Sequence, residues 1–242
     1  MKRTNLYAAM TKDEVQHSRM TFYEAVKFDY NLMPENIRAF VALKLPENII
    51  SSIKRIQEDL KLYRFPVRWV RPEKMHLTIK FFGEIAESDI KKIGAEMNNC
   101  VGGYAPLYLS AKGIGVFPGI ARPRVIWAGI SGEASLLFDL RNALENRFEE
   151  ISFKREDRPF KGHLTIGRFR ERADSGRLID ALKKFQSFES EIFVAEKLYL
   201  YKSDLRPEGP VYTELLSAPL KLPAASSGPP ETDSTGKICQ PC

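Results

Sequence analysis

His76-Leu77-Thr78-Ile79 returns as His163-Leu164-Thr165-Ile166, so two of the chain's three histidines sit in the same tetrapeptide. Leu, Thr and Ile in such a run favour a strand, and a strand sends successive side chains to opposite faces. Each copy therefore presents an imidazole and a hydroxyl on one face and two apolar side chains on the other. Packing constrains the Leu and Ile face and leaves the outward pair free to vary. One lone histidine on a strand is more often a core-edge residue with a satisfied hydrogen bond. The repetition makes His76 and His163 candidate catalytic residues: one imidazole to take a proton, one to give it, and two hydroxyls, Thr78 and Thr165, to hold the oxygens of an anion.

Working outward, a longer repeat surrounds the tetrapeptides. Arg38 to His76 is 38 positions, and Val125 to His163 is also 38. Both intervals read as strand, long helix, loop and motif strand. In the first, residues 37–45 form a strand ended by Pro46, and Ile49, Ile50, Ile53, Ile56 and Leu60 follow at helical spacing. A short strand at 67–70, a loop at 71–74, the motif strand at 75–82 and a helix over about 87–101 come next, closed by Gly102 and Gly103. A strand at 107–117, with Gly113 and Gly115 as bulge or turn points, leads to the second interval. There the pattern predicts a strand at 125–130, a helix at 133–149, a charged loop at 154–158 and the motif strand at 162–169. A helix near 175–185 and strands at 191–195, 197–203 and 211–216 follow. Two related α+β lobes result, their motif strands facing each other across a pseudo-two-fold axis. Residues 1–36 read as a polar N-terminal extension whose His17 has no companion threonine. Residues 37–221 form the folded domain, and 222–242, rich in Pro, Ser, Gly and Thr, read as a disordered tail.

At 242 residues the chain is long enough to bury a core without disulfides. Its three cysteines, Cys100, Cys239 and Cys242, are an odd count with two in the tail, which fits a reducing cytoplasm better than a secreted framework. Cys239 and Cys242 have metal or redox spacing but lack the second pair or the histidines of a zinc site. No apolar run reaches membrane-spanning length, and 4–13 holds no signal-peptide core. The formal charge of +6 favours anionic partners such as RNA. Nothing in the pattern calls for an obligate protein partner, and a monomer is expected.

Further motifs accompany the tetrapeptides: Arg38-Ala39-Phe40-Val41-Ala42, Lys80-Phe81-Phe82-Gly83-Glu84, Gly113-Ile114-Gly115-Val116-Phe117-Pro118, Arg124-Val125-Ile126-Trp127-Ala128-Gly129, and Gly167-Arg168. On these residues the chain resembles the two-histidine (2H) phosphoesterases. Within them it is most similar to the RNA 2′,3′-cyclic phosphodiesterases, also described as 2′-5′ RNA ligases, over about 37–220. The resemblance implies a bilobal α+β fold, two pseudo-symmetric lobes each with an antiparallel sheet and helices, and a central cleft lined by both motifs. It also implies His76 as proton donor, His163 as proton acceptor, Thr78 and Thr165 as phosphate-binding hydroxyls, and a 2′-phosphomonoester product.

The chemistry of the residues agrees. Opening a cyclic phosphate needs a water deprotonated on one side of phosphorus and a ribose oxygen protonated on the other, and two imidazoles suffice. No cofactor is expected, and no metal either, since the His/Thr sets lack the carboxylates and cysteines that a metal site gathers. Lys80, four residues after His76, shares its face in an ideal strand and is a candidate phosphate contact; its counterpart in the second lobe is Gly167. Arg168 follows that glycine and turns inward if the strand bulges. Arg122 and Arg124 either clamp RNA phosphates or keep a sheet edge soluble. Of Phe81, Phe82, Phe117 and Phe160, three are expected in the core and one free to stack on a base. Two rival readings use the same cleft: an RNA- or nucleotide-binding module, and 2′-5′ ligation or hydrolysis of a small cyclic nucleotide.

Overall fold

The computed structural model describes residues 36–221. The N-terminal extension with His17 and the tail with Cys239 and Cys242 lie outside the described residues. Among those described, strands and helices run β1 (Asn36–Lys44), α1 (Glu47–Lys61), β2 (Val67–Trp69), β3 (His76–Ala86), α2 (Ile90–Val101), β4 (Leu107–Phe117), β5 (Val125–Gly132), α3 (Ala134–Glu150), β6 (His163–Phe169), α4 (Ser175–Lys184), β7 (Phe193–Ala195), β8 (Lys197–Asp204) and β9 (Val211–Pro219). One-turn 3₁₀ segments at Pro72–Lys74 and Glu87–Asp89 lead into β3 and α2, so the helix expected from residue 87 begins as a tighter turn.

The strands make one sheet in the order β7-β4-β5-β6-β3-β1-β8-β9, and β2 pairs with β6. The order is symmetric about the β6/β3 boundary, so that β5 answers β1, β4 answers β8 and β7 answers β9. The fold is α+β, and its two lobes are the halves of this one sheet. The motif strands are therefore hydrogen-bonded neighbours at its centre rather than facing one another from separate sheets. Beneath them the apolar stripes of the helices close the core: Ile49, Ile53 and Leu60 from α1, and Leu137, Leu140, Leu144 and Phe148 from α3, are buried. Leu77, Ile79, Leu164 and Ile166 of the two tetrapeptides are buried against this side, as the two-residue period requires. Each contributes about 1.5–3 kcal/mol.

Two irregularities position the site. Between β5 and β6 the register slips: Ile126 pairs with Gly167 but Trp127 with Thr165, leaving Ile166 without a partner residue. Its carbonyl accepts instead from Val70 N at 2.9 Å and from Gln57 Nε2 at 3.1 Å, which accounts for a buried glutamine in the apolar stripe of α1. In β4, Gly113 adopts φ +62° where the pairing with β5 shifts between Lys112 and Ile114, the bulge anticipated there. Gly115 has a different reason: a Cβ there would collide with the Trp127 indole.

Candidate active site

β3 and β6 run antiparallel with Leu77 opposite Leu164. One step either way along that register sets His76 opposite Thr165 and Thr78 opposite His163, on the face away from the buried leucines. The four polar side chains of the repeated tetrapeptide thus form one cluster. The histidines occupy its diagonal, which spans roughly 7–8 Å between Cα atoms in a regular ladder.

Both imidazoles are anchored in the same way. His76 Nδ1 lies 2.9 Å from the Lys74 carbonyl, and His163 Nδ1 lies 2.7 Å from the Lys161 carbonyl, in each case two residues upstream. A carbonyl only accepts, so Nδ1 carries the hydrogen and donates, and Nε2 is left as the atom that exchanges protons. Aromatic rings hold the planes. Phe40 of β1 stacks on His76 at 4.7 Å between centroids, and Tyr212 of β9 meets it edge-on at 5.1 Å. Phe117 of β4 meets His163 edge-on at 5.0 Å and stacks on Trp127 at 4.9 Å.

Burial lowers the pKa of both histidines from the ordinary value of 6.5; the backbone hydrogen bond opposes this, and the nearby Arg168 charge adds to it. For His76 the charge of His163 acts in the same direction.

A cleft of about 660 Å³ opens on the His76 side. Its walls include His76, Thr78, Thr165, Phe81 and Tyr212, and carry five cations, Arg38, Arg68, Arg71, Lys74 and Arg168, against one carboxylate, Glu208. That imbalance suits a polyanion. His163 lies at the edge, outside the walls of this volume.

Of the site residues expected from sequence, His76, Thr78, His163, Thr165 and Arg168 come together. Arg168 reaches the cleft face because of the bulge at Ile166: Ile166 and Gly167 are both buried, and Arg168 is exposed on the side of Thr165. Lys80 does not join them. The same skip occurs in β3, where Ile79 and Lys80 are both buried and Phe81 emerges in the cleft. The Lys80 ammonium is 2 % exposed and lies 2.8 Å from Glu145 of α3, which also faces Arg141 at 2.9 Å. The ideal alternation placed Lys80 beside His76; one skipped residue turns it into the core. Phe82 and Phe160 pack against the core as expected, but Phe81 lines the cleft and Phe117 touches His163, so two of the four phenylalanines rather than one belong to the site. Arg122 and Arg124 are exposed and lie outside the cleft walls. Sequence reasoning missed Arg38, Phe40, Arg68 and Tyr212. Arg38 and Phe40 stand in a motif already singled out, and their alternation along β1 was a usable signal; Tyr212 carried none. Among the described residues, no group of three or more His, Cys, Asp or Glu is placed to hold a metal ion. No helix among them is long and apolar enough to cross a membrane.

The LigT-like phosphoesterase family profile matches residues 43–127 and 130–212, two segments that hold one tetrapeptide each. The RNA 2′,3′-cyclic phosphodiesterase of Methanothermobacter thermautotrophicus is 33% identical over 179 residues, covering 74% of this chain and 96% of that protein. Its counterpart from Methanocaldococcus jannaschii is 34% identical over 176 residues, covering 73% and 96%. A crystal structure of a Thermus thermophilus protein shares the fold with a TM-score of 0.66 at 27% identity, covering 77% of this chain and 99% of that one. Escherichia coli LigT in complex with 3′-AMP shares it with a TM-score of 0.60 at 21% identity, over the same shares. By its paired motifs, its sheet and these matches, the chain belongs to the LigT-like phosphoesterase family, the two-histidine phosphoesterases.

Proposed function

We propose that residues 37–221 form a metal-independent phosphodiesterase domain that opens RNA 2′,3′-cyclic phosphate ends to 2′-phosphomonoesters. The observation that carries this reading is the cluster itself: His76, Thr78, His163 and Thr165 share one face of adjacent strands, with both Nδ1 atoms tied to carbonyls and both Nε2 atoms left to titrate. His163 takes a proton from water as it attacks phosphorus, the P–O3′ bond breaks, and His76 protonates the departing O3′. Thr78 and Thr165 donate to the non-bridging oxygens, and Arg168 offsets their charge. The position of the cleft supports the roles. In a cyclic phosphate the ribose and the rest of the RNA lie on the leaving-group side, which needs the large volume beside His76. The opposite side has only to admit water. The curated relatives named RNA 2′,3′-cyclic phosphodiesterase support the same substrate.

The test is incubation with an oligonucleotide ending in 2′,3′-cyclic phosphate in the presence of EDTA. A 2′-phosphate product formed at an undiminished rate is expected. A 3′-phosphate product would reverse the leaving oxygen, and loss of activity with the chelator would remove the metal-independent mechanism.

A further inference from the structure

β2 pairs antiparallel with β6, and Arg68 stands directly opposite Arg168. The ladder continues one step beyond the strand end, where Arg170 N donates to the Pro66 carbonyl at 2.8 Å, so Arg170 shares a face with Arg168. Arg68, Arg168 and Arg170 are exposed, and among the described residues none forms an ion pair with a carboxylate. Like charges directly opposite in an antiparallel ladder repel. Some exposed cations elsewhere do have carboxylate partners, as in Lys44 with Glu214 at 2.7 Å and Lys112 with Glu189 at 2.9 Å. An opposed arginine pair without a carboxylate, at the wall of a cleft, is an arrangement that an anion relieves.

We infer that Arg68 and Arg170 form a second phosphate subsite, which takes the phosphodiester upstream of the reacting end and makes single-stranded RNA a better substrate than a cyclic mononucleotide. The inference rests on the phosphodiesterase reading above. Arg168, whose charge is felt by both histidines, stands at the reacting phosphate. Arg68 lies one strand spacing away, about 4.8 Å, and Arg170 one two-residue step beyond, about 6.7 Å. An RNA backbone leaving the cleft along this ladder meets positive charge at each step, with Glu208 of the β8–β9 turn the one carboxylate in the cleft wall. The β8–β9 turn flanks the path: a Cβ on Gly209 would sit 3.2 Å from Arg68 Nη2. These arginines come from strands about a hundred positions apart, and only their pairing makes a subsite.

The experiment compares kcat/KM for a 2′,3′-cyclic mononucleotide and for a trinucleotide with the same cyclic end, in wild type, Arg68→Gln and Arg170→Gln, across a range of salt. In Arg68→Gln the preference for the trinucleotide falls about tenfold. The salt slope of its log kcat/KM becomes shallower by roughly 0.7, the value for one phosphate contact on a single strand. Arg170→Gln shifts both in the same direction. Thermal stability of Arg68→Gln stays level or rises, because the change removes a like-charge opposition. An unaltered preference with an unaltered slope overturns the subsite. If wild type turns over neither substrate, the phosphodiesterase reading falls instead. Binding of a fluorescent trinucleotide 3′-phosphate then decides the subsite by the same change in salt slope.

Discussion

Phe81 and Arg168 occupy the same place in the two halves of the sheet, five residues after their histidines, and both face the cleft because the alternation of each strand skips one residue. One position earlier the skip turns Lys80 into the core beside Glu145, and sets its counterpart Gly167 beneath β2, where a side chain would collide with Val67 and Trp69. The halves repeat their backbone and their His and Thr pairs but divide their charge. In one, the cation is internal: Lys80 Nζ also donates to the Lys154 carbonyl at 2.6 Å and so holds the loop that runs toward His163. In the other the cation is external and available to an anion. The ring at Phe81 lies under Arg38, 4.6 Å from its centroid, so the first half presents an aromatic surface to the cleft where the second presents a guanidinium. Equivalent positions in a repeated fold are thus not equivalent in chemistry, and the cleft has a cationic end and an aromatic end.

The comparison breaks most severely at the residues the halves share. His76→Ala and His163→Ala should each lower kcat on a cyclic-phosphate oligonucleotide by about 10²–10⁴-fold, and the double variant should lose little more than either single one, because the pair acts as a unit. Single-turnover rates check both statements, and a histidine whose loss is harmless has no part in the proton transfers. Next comes the internal cation. Lys80→Met leaves Glu145 buried with Arg141 as its remaining partner and should cost about 3 kcal/mol or more in urea unfolding, with KM nearly unchanged at temperatures where the variant is folded. A raised KM at full stability would return Lys80 to the substrate.

Smaller effects sharpen the contrast at the neighbouring positions. Gly167→Ala forces β2 outward and should destabilise by about 1–3 kcal/mol, measurable as a lower urea midpoint; a stable variant would show that β2 yields freely. Arg168→Gln should reduce kcat/KM about tenfold and also alter its pH dependence. Both histidines have pKa values below 6.5, the acid must be protonated and the base neutral, so kcat/KM of the wild type peaks below pH 6.5 and declines above it as the acid loses its proton. Removing the Arg168 charge favours both imidazoliums, so the alkaline limb of Arg168→Gln moves to higher pH. A limb that stays in place would separate Arg168 from the histidines.

Much of this was legible in the residues. The identical tetrapeptides marked the polar quartet, because a strand's period of two fixes which side chains share a face whatever the strand packs against. The matching 38-residue intervals marked the two halves, and Gly167 before Arg168 marked a place where a strand bends. Lys80 was misplaced by the same periodic reasoning, since one skipped residue reverses every side chain beyond it and, unlike Gly167 in β6, no glycine stands at the skip between Ile79 and Phe81.

The sequence by itself determined which polar side chains share a face and that they come in two equivalent sets, since local alternation and repetition need no knowledge of neighbours. Only the tertiary structure decided that the two strands are adjacent, that Phe40, Tyr212 and Phe117 hold the imidazole planes, and that Arg68 stands against Arg168. Those facts are matters of register between distant segments. Register follows from how the whole apolar face is buried, and that is a property of the assembled sheet rather than of any stretch of chain.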